Sequence, residues 1–358
     1  MLLPSHGANP EKLTELLQLP LRADAIDFSV NTAPFPLQAK ITANWSEYLE
    51  TITKYPDPLS GQLKEIIARK EKLTTSEILV GNGAAQLIFL IAMFFAEKRV
   101  VIVEPTFSEY RDACKIFSCH VEAHHLQKPW QLNIENLINT CKNNDLLFIC
   151  NPNNPTGVAY SAQELEFLIA RVAELGVTVV VDEAFYDFKL DGATVIQLVS
   201  KYPNLVVLRS LTKMYGIAGI RLGYLAANPT FIKNISPFQN PWSVNGLAQK
   251  LGIECLEDTA YVKKIQEFVA QERQRIFPIL ESYDYEISKS EVNFYLLKEK
   301  NKQEDCLPLI KYLIKRGIIP RHTYNFPFLD GTYLRLAIKT KRENNQLLTA
   351  LQGWKSQC

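Results

Sequence analysis

From about residue 60 to 235 the chain alternates between short, nearly continuous apolar runs and longer segments whose apolar positions recur every three or four residues. The runs are Val100–Val103, Leu146–Cys150, Val177–Val181 and Leu205–Leu208, rich in β-branched residues. Without polar alternation, such runs fit strands buried on both faces. Leu63–Lys70, Ala84–Glu97 and Ala162–Glu174 carry helical spacing. Strand-helix alternation predicts an α/β fold: a mostly parallel sheet between layers of helices.

After Pro241 the pattern changes. One long amphipathic stretch, about Asn245–Leu280, leads to strand-like Val292–Leu297, helix-like Leu307–Arg316 and strand-like Tyr333–Ile338. That order suits a smaller α+β domain. The expected division is a large domain over residues 31–236 and a small one built from 1–30 and 237–358, hinged near Pro237–Pro241. No repeat or low-complexity linker interrupts either part.

Composition narrows the function classes. With 358 residues and a formal net charge of +1, nothing global points to nucleic acid or to a membrane surface. The N-terminus does not read as a secretory signal, and the longest apolar stretch, Leu87 to Ala96, is too short to span a bilayer. The seven cysteines are scattered, odd in number and without a Cys-x-x-Cys pair, which fits reduced thiols in a cytoplasmic enzyme. Cys119-His120 with His124-His125 reads as a strand edge and a solvated turn, so no metal is expected.

Four segments carry candidate chemistry. The strongest, Arg209-Ser-Leu-Thr-Lys213-Met-Tyr-Gly216 continuing to Arg221, follows an apolar strand with hydroxyls, a lysine, glycines and an arginine. Pyridoxal phosphate needs a lysine for its aldehyde, and donors with positive charge for its phosphate; Lys213, Ser210, Thr212 and Arg221 supply them. The alternative is a solvated lysine in a glycine-rich turn. Asp182 ends an apolar strand, where open α/β sheets bind ligands, and a buried carboxylate there would keep a pyridine nitrogen protonated. It could equally cap a helix. Asn151-Pro-Asn-Asn154-Pro-Thr-Gly157 is either a plain turn or the support of an amide donor at Asn154. Val80-Gly-Asn-Gly83-Ala84-Ala85-Gln86 is a glycine turn opening a helix, which suits phosphate binding by main-chain N–H groups.

In this order the segments resemble the class I and II aminotransferase superfamily of fold-type-I pyridoxal-phosphate enzymes, over nearly the whole chain. The resemblance implies a large domain with a seven-stranded type of sheet, the cofactor on Lys213, Asp182 at the ring nitrogen and Asn154 at the ring hydroxyl. It further implies a phosphate cup of Gly83, Ala84, Ala85, Ser210, Thr212 and Arg221, with Phe107 stacked on the ring. Tyr55, in Tyr55-Pro-Asp-Pro58, matches a tyrosine that reaches the neighbouring subunit's phosphate, which implies a homodimer with shared sites. Two features depart from the pattern. Phe185 stands where the aminotransferase branch usually has a tyrosine, and two alanines occupy a turn where many relatives have polar side chains.

Within the superfamily the chain is similar to L-threonine-O-3-phosphate decarboxylases and, next, to histidinol-phosphate aminotransferases. Ser5-His6-Gly7-Ala8-Asn9, Ile26-Asp-Phe-Ser-Val-Asn31, the Asp182–Phe188 segment and the Arg321 and Arg335 segments lean to the decarboxylases. That resemblance implies Arg335, with Asn31 and Asn154, clamping an α-carboxylate. Arg321, His6 and the Gly7 N–H would take a side-chain phosphate. The leading expectation is decarboxylation of L-threonine O-3-phosphate to (R)-1-aminopropan-2-ol O-phosphate in cobalamin synthesis. The alternatives are an aminotransferase of histidinol phosphate or an aromatic amino acid using 2-oxoglutarate, and a ligand sensor that kept the fold without catalysis. Sequence does not fix which bond of the α-carbon lies perpendicular to the ring, and that torsion chooses between the two reactions.

Overall fold

The computed structural model describes residues 3–4, 6–190, 192–300 and 305–356; Ser5 of the N-terminal motif and Cys358 lie outside them. A short strand, β1 (Ile26–Asp27), precedes seven strands that form the central sheet: β2 (Ile78–Gly81), β3 (Arg99–Glu104), β4 (His120–His125), β5 (Leu146–Cys150), β6 (Thr178–Asp182), β7 (Leu205–Ser210) and β8 (Gly223–Ala227). Their order is β2-β8-β7-β6-β5-β3-β4. Only β8 runs antiparallel to its neighbours.

The apolar runs are continuous because these strands are covered on both sides. Val101, Val103, Val179, Val181, Leu205 and Val207 pack into one core, while Val100, Ile102, Val180, Val206 and Leu208 pack into the other. β4 was foreseen only as a strand edge beside a solvated turn, and the strand runs on through His124 and His125. It is the sheet's edge, its side chains are mostly exposed, and no apolar pattern marks it. His124 Nδ1 there lies 3.0 Å from the Thr140 hydroxyl.

The stretch after Pro241 divides where a continuous helix was expected. Helices Gly246–Glu257 and Thr259–Ser282 meet at Asp258, whose backbone leaves the helical region at ψ 75°. Its side chain accepts a hydrogen bond from the Tyr261 N–H, capping the second helix. Strands β9 (Tyr285–Ile287), β10 (Phe294–Glu299), β11 (Ile318–Ile319), β12 (Arg321–His322) and β13 (Leu334–Ala337) follow. Four of them form an antiparallel sheet in the order β12-β13-β10-β9. β11 instead pairs in parallel with β1, which ties the N-terminal segment to this part of the chain. A last helix, Lys341–Lys355, opens with a capping box between Thr340 and Glu343.

Candidate active site

A cavity of about 280 Å³ opens at the carboxyl ends of the central strands, between them and β12–β13. The parallel strands all end toward it, so whatever follows each strand is delivered to one place.

Asp182 is the last residue of β6 and is 3 % exposed. Its Oδ2 accepts a 2.6 Å hydrogen bond from the Tyr110 hydroxyl, and its Oδ1 one of 2.9 Å from the Ala184 N–H. Burial raises the carboxyl's pKa, opposed by those two bonds and by the nearby Lys213 charge. Tyr110 is fixed in turn by stacking on Phe148, with ring centroids 5.0 Å apart. Phe107, three residues before it and ahead of the helix, lines the cavity and packs edge-on against Tyr110.

The asparagines that follow β5 build a rigid turn. Asn151 Oδ1 accepts from the Tyr160 N–H (2.8 Å), and Asn153 Nδ2 donates to the Pro105 carbonyl (3.2 Å). Gly157 closes the turn at φ +72°, and a Cβ there would sit 2.1 Å from Ser290 Oγ and 2.9 Å from the Phe294 carbonyl. Only glycine fits both the conformation and the space. Asn154 is thereby aimed into the cavity, and its Oδ1 accepts a 2.7 Å bond from Arg335 Nη1. With the oxygen engaged, the Nδ2 group is the end left to serve as donor.

Arg335, in β13, is buried, and its Nη2 donates to the Ser29 carbonyl at 2.7 Å. Its Nε has no partner among the described residues. Burial lowers its pKa to about 10. Asn293 holds the backbone beside it, donating to the Asn31 carbonyl at 2.8 Å.

On the opposite side, helix Gly83–Phe94 presents its first turn to the cavity at Ala84 and Ala85. Gly83 has φ +76°, and a Cβ on it would lie 2.6 Å from Arg221 Nη2, so its missing side chain makes room for the guanidinium. A Cβ on Gly223 would similarly strike the Ala84 nitrogen at 2.8 Å. The hydroxyls of Ser210 and Thr212 lie 2.7 Å apart at the same end. Main-chain donors, two hydroxyls and a guanidinium are a set that suits a phosphate group.

Lys213 lies in the short helix after β7, and its pKa is lowered to about 8 by burial and by the charges of Arg335 and Arg221. The donor set fits pyridoxal phosphate. There is an amine for the aldehyde, a carboxylate for the ring nitrogen, an amide for the ring hydroxyl and the cup for the phosphate. Phe185 offers no hydroxyl; it is buried edge-on against Phe294, with centroids 4.8 Å apart.

The remaining wall gathers His6, Gly7, Asn31 and Arg321. Arg321 donates to the His322 carbonyl (2.9 Å) and to Asn325 Oδ1 (2.5 Å), and burial beside Arg335 lowers its pKa to about 9. His6 Nδ1 lies 3.4 Å from Glu109 Oε1. Thus the cavity joins fourteen of the expected positions, with Gly83 directly behind its wall against Arg221. Tyr55 stands apart: it is 87 % exposed and packs on Trp242, not on the cavity. Tyr110, Glu109 and the Ser29 carbonyl were not anticipated. The closeness of Tyr110 to Phe107, three residues on in the chain, was the available signal.

Residues 23–351 match the family described as Aminotransferase class I and II. The threonine-phosphate decarboxylase of Salmonella typhimurium is 32% identical over 98% of this chain and 96% of its own. A histidinol-phosphate aminotransferase of Caldanaerobacter subterraneus is 31% identical over 90% of this chain and 91% of its own. The crystal structure of the histidinol-phosphate aminotransferase from Clostridium acetobutylicum superposes with a TM-score of 0.87 at 28% identity, covering 92% of this chain and 99% of that one. The chain therefore belongs to the class I and II aminotransferase family of fold-type-I enzymes, and its cofactor is pyridoxal 5′-phosphate.

Proposed function

We propose that the protein decarboxylates L-threonine O-3-phosphate to (R)-1-aminopropan-2-ol O-phosphate and CO₂, a step of cobalamin synthesis. The observation that carries this reading is the pair of buried arginines, Arg321 and Arg335, converging on the Lys213 cavity beside His6. Two guanidiniums in one pocket suit a substrate with two anionic ends. Bound in the cavity, pyridoxal phosphate supplies an aldehyde for the substrate amine and a ring that takes up the electron pair of a broken α-carbon bond. Asp182 would hold the proton of the ring nitrogen, its ionised form supported by Tyr110. Arg335, anchored by Asn154 and Ser29, would orient the α-carboxylate. Arg321 and His6, with the Gly7 N–H, would hold the phosphate. Lys213, once displaced by the substrate amine, would return a proton from Nζ to the α-carbon after CO₂ has left. The Salmonella relative named threonine-phosphate decarboxylase supports the choice of reaction.

We also infer a homodimer. Tyr55, Ile52 and Leu59 are 87 %, 72 % and 70 % exposed, and Trp242 beside Tyr55 is 50 % exposed. Side chains of that size left in water suit cover by a second copy, which would bring Tyr55 toward a neighbouring phosphate cup. The described cysteines are free, which suits action in the cytoplasm.

The test is to mix holoenzyme with O-phospho-L-threonine and no oxo acid. Sustained CO₂ release supports decarboxylation. Glutamate formation from 2-oxoglutarate and L-histidinol phosphate, without CO₂ release, would replace it with amino transfer.

A further inference from the structure

One charged group in the cavity has no part in holding the cofactor. Glu109 opens helix Glu109–Ile116, immediately after Phe107 and Ser108, and its side chain is 17 % exposed on the cavity wall. Its Oε1 faces His6 Nδ1 at 3.4 Å, and its Oε2 accepts from Ser108 Oγ at 3.3 Å. It therefore stands against one of the groups assigned above to the substrate's phosphate, and within the field of another, Arg321. An ionised carboxylate and a phosphate dianion sharing the same donors repel one another. We propose that Glu109 is a specificity-determining residue that gates phosphate binding: a phosphorylated substrate seats only when the Glu109 carboxylate takes up one proton from solvent. The protonated carboxyl then donates its O–H to a phosphate oxygen, and His6 is released to do the same.

The surroundings support this assignment. The charged groups facing Glu109 are His6 from the N-terminal segment, Lys213 from the helix after β7, Arg321 from β12, and Asp112 on its own helix. Burial foremost raises Glu109 to about 7, so protonation is accessible near neutrality. His6 is lowered by burial and by Arg321, so it is neutral above neutrality and gives the carboxylate no fixed countercharge. Lys213 is held by the cofactor in the holoenzyme. The inference rests on a phosphorylated substrate, and serves O-phospho-L-threonine and L-histidinol phosphate equally.

The experiment compares holoenzyme and its Glu109→Gln variant between about pH 7 and 8, below the range in which Arg321 loses its proton. For the turned-over phosphate ester, the variant-to-wild-type ratio of kcat/KM should rise toward ~10-fold per pH unit, carried by KM with kcat parallel in the two enzymes. Inorganic phosphate, which lacks an amine, should inhibit wild-type progressively less well across the window, while its inhibition of the variant follows only the phosphate's own second ionisation. An unchanged ratio, or weaker binding by the variant at every pH, overturns the proposal. So does a wild-type phosphate inhibition constant that is flat with pH, a result that needs no variant. If neither phosphate ester is turned over, the substrate reading above fails instead; turnover with an unchanged ratio removes Glu109 alone.

Discussion

Tyr110→Phe removes one oxygen and leaves the ring stacked on Phe148, so its effect isolates the 2.6 Å bond to Asp182. A hydrogen bond to a charged acceptor contributes ~1.5–3 kcal/mol. That bond favours the ionised carboxyl and opposes the upward push of burial. Losing it raises the Asp182 pKa further, and at about 1.36 kcal/mol per tenfold the lost energy weighs roughly 10- to 100-fold on the protonation equilibrium. As pH falls, the ionised form is then lost earlier, so the acidic limb of the activity profile moves to higher pH. Below that limb, turnover should drop roughly 10- to 100-fold, while above it the variant approaches wild-type. The assay is kcat/KM against pH on holoenzyme, with thermal melting and cofactor absorbance as checks on folding and loading. An acidic limb that stays in place, with rates within about twofold of wild-type, would refute the claim that Tyr110 controls Asp182.

Two further outcomes follow from buried charge. Arg209 donates to Glu183 at 2.9 Å, faces Glu71 and Asp187 at 3.9 Å, and lies 3.9 Å from the Tyr186 ring centroid. Arg209→Met strands these carboxylates and should destabilise the protein by ~3–5 kcal/mol in urea unfolding, with Glu183→Gln in the same chain recovering part of the loss; an unchanged midpoint would show that the cluster carries no net stability. In protein stripped of cofactor, the reaction of Lys213 with a small acylating reagent should follow a midpoint near pH 8, the value to which its surroundings lower it. A midpoint at the ordinary lysine position, about 10.4, contradicts that environment.

The sheet's inner strands and the chemistry at their ends were legible because burial on both faces demands unbroken apolar runs, and strand direction then sends Asn154, Asp182 and Lys213 to one end. What escaped notice lacked that constraint. The second half of β4, read as a solvated turn, belongs to an edge strand with mostly exposed side chains. The break at Asp258 depends on one cap between two helices that share an amphipathic pattern. The helix Lys341–Lys355 did carry a signal, Thr340 three residues before Glu343, and it went unread. Glu109 and Tyr110 open a short helix just after Phe107, and no local pattern reveals its register against β6. Arg335 bonding to Ser29 and Asn154 spans most of the chain, a pairing visible only in three dimensions.

That long-range pairing, together with β1 against β11, also orders events during synthesis. The strands that deliver the groups proposed to hold the cofactor precede Arg221, whereas the proposed substrate wall waits for Arg321 and Arg335. At roughly 5–20 residues per second, the stretch from Arg221 to Arg335 takes on the order of ten seconds to translate. A growing chain can therefore assemble its cofactor cup on the ribosome well before it possesses the arginines of the substrate wall.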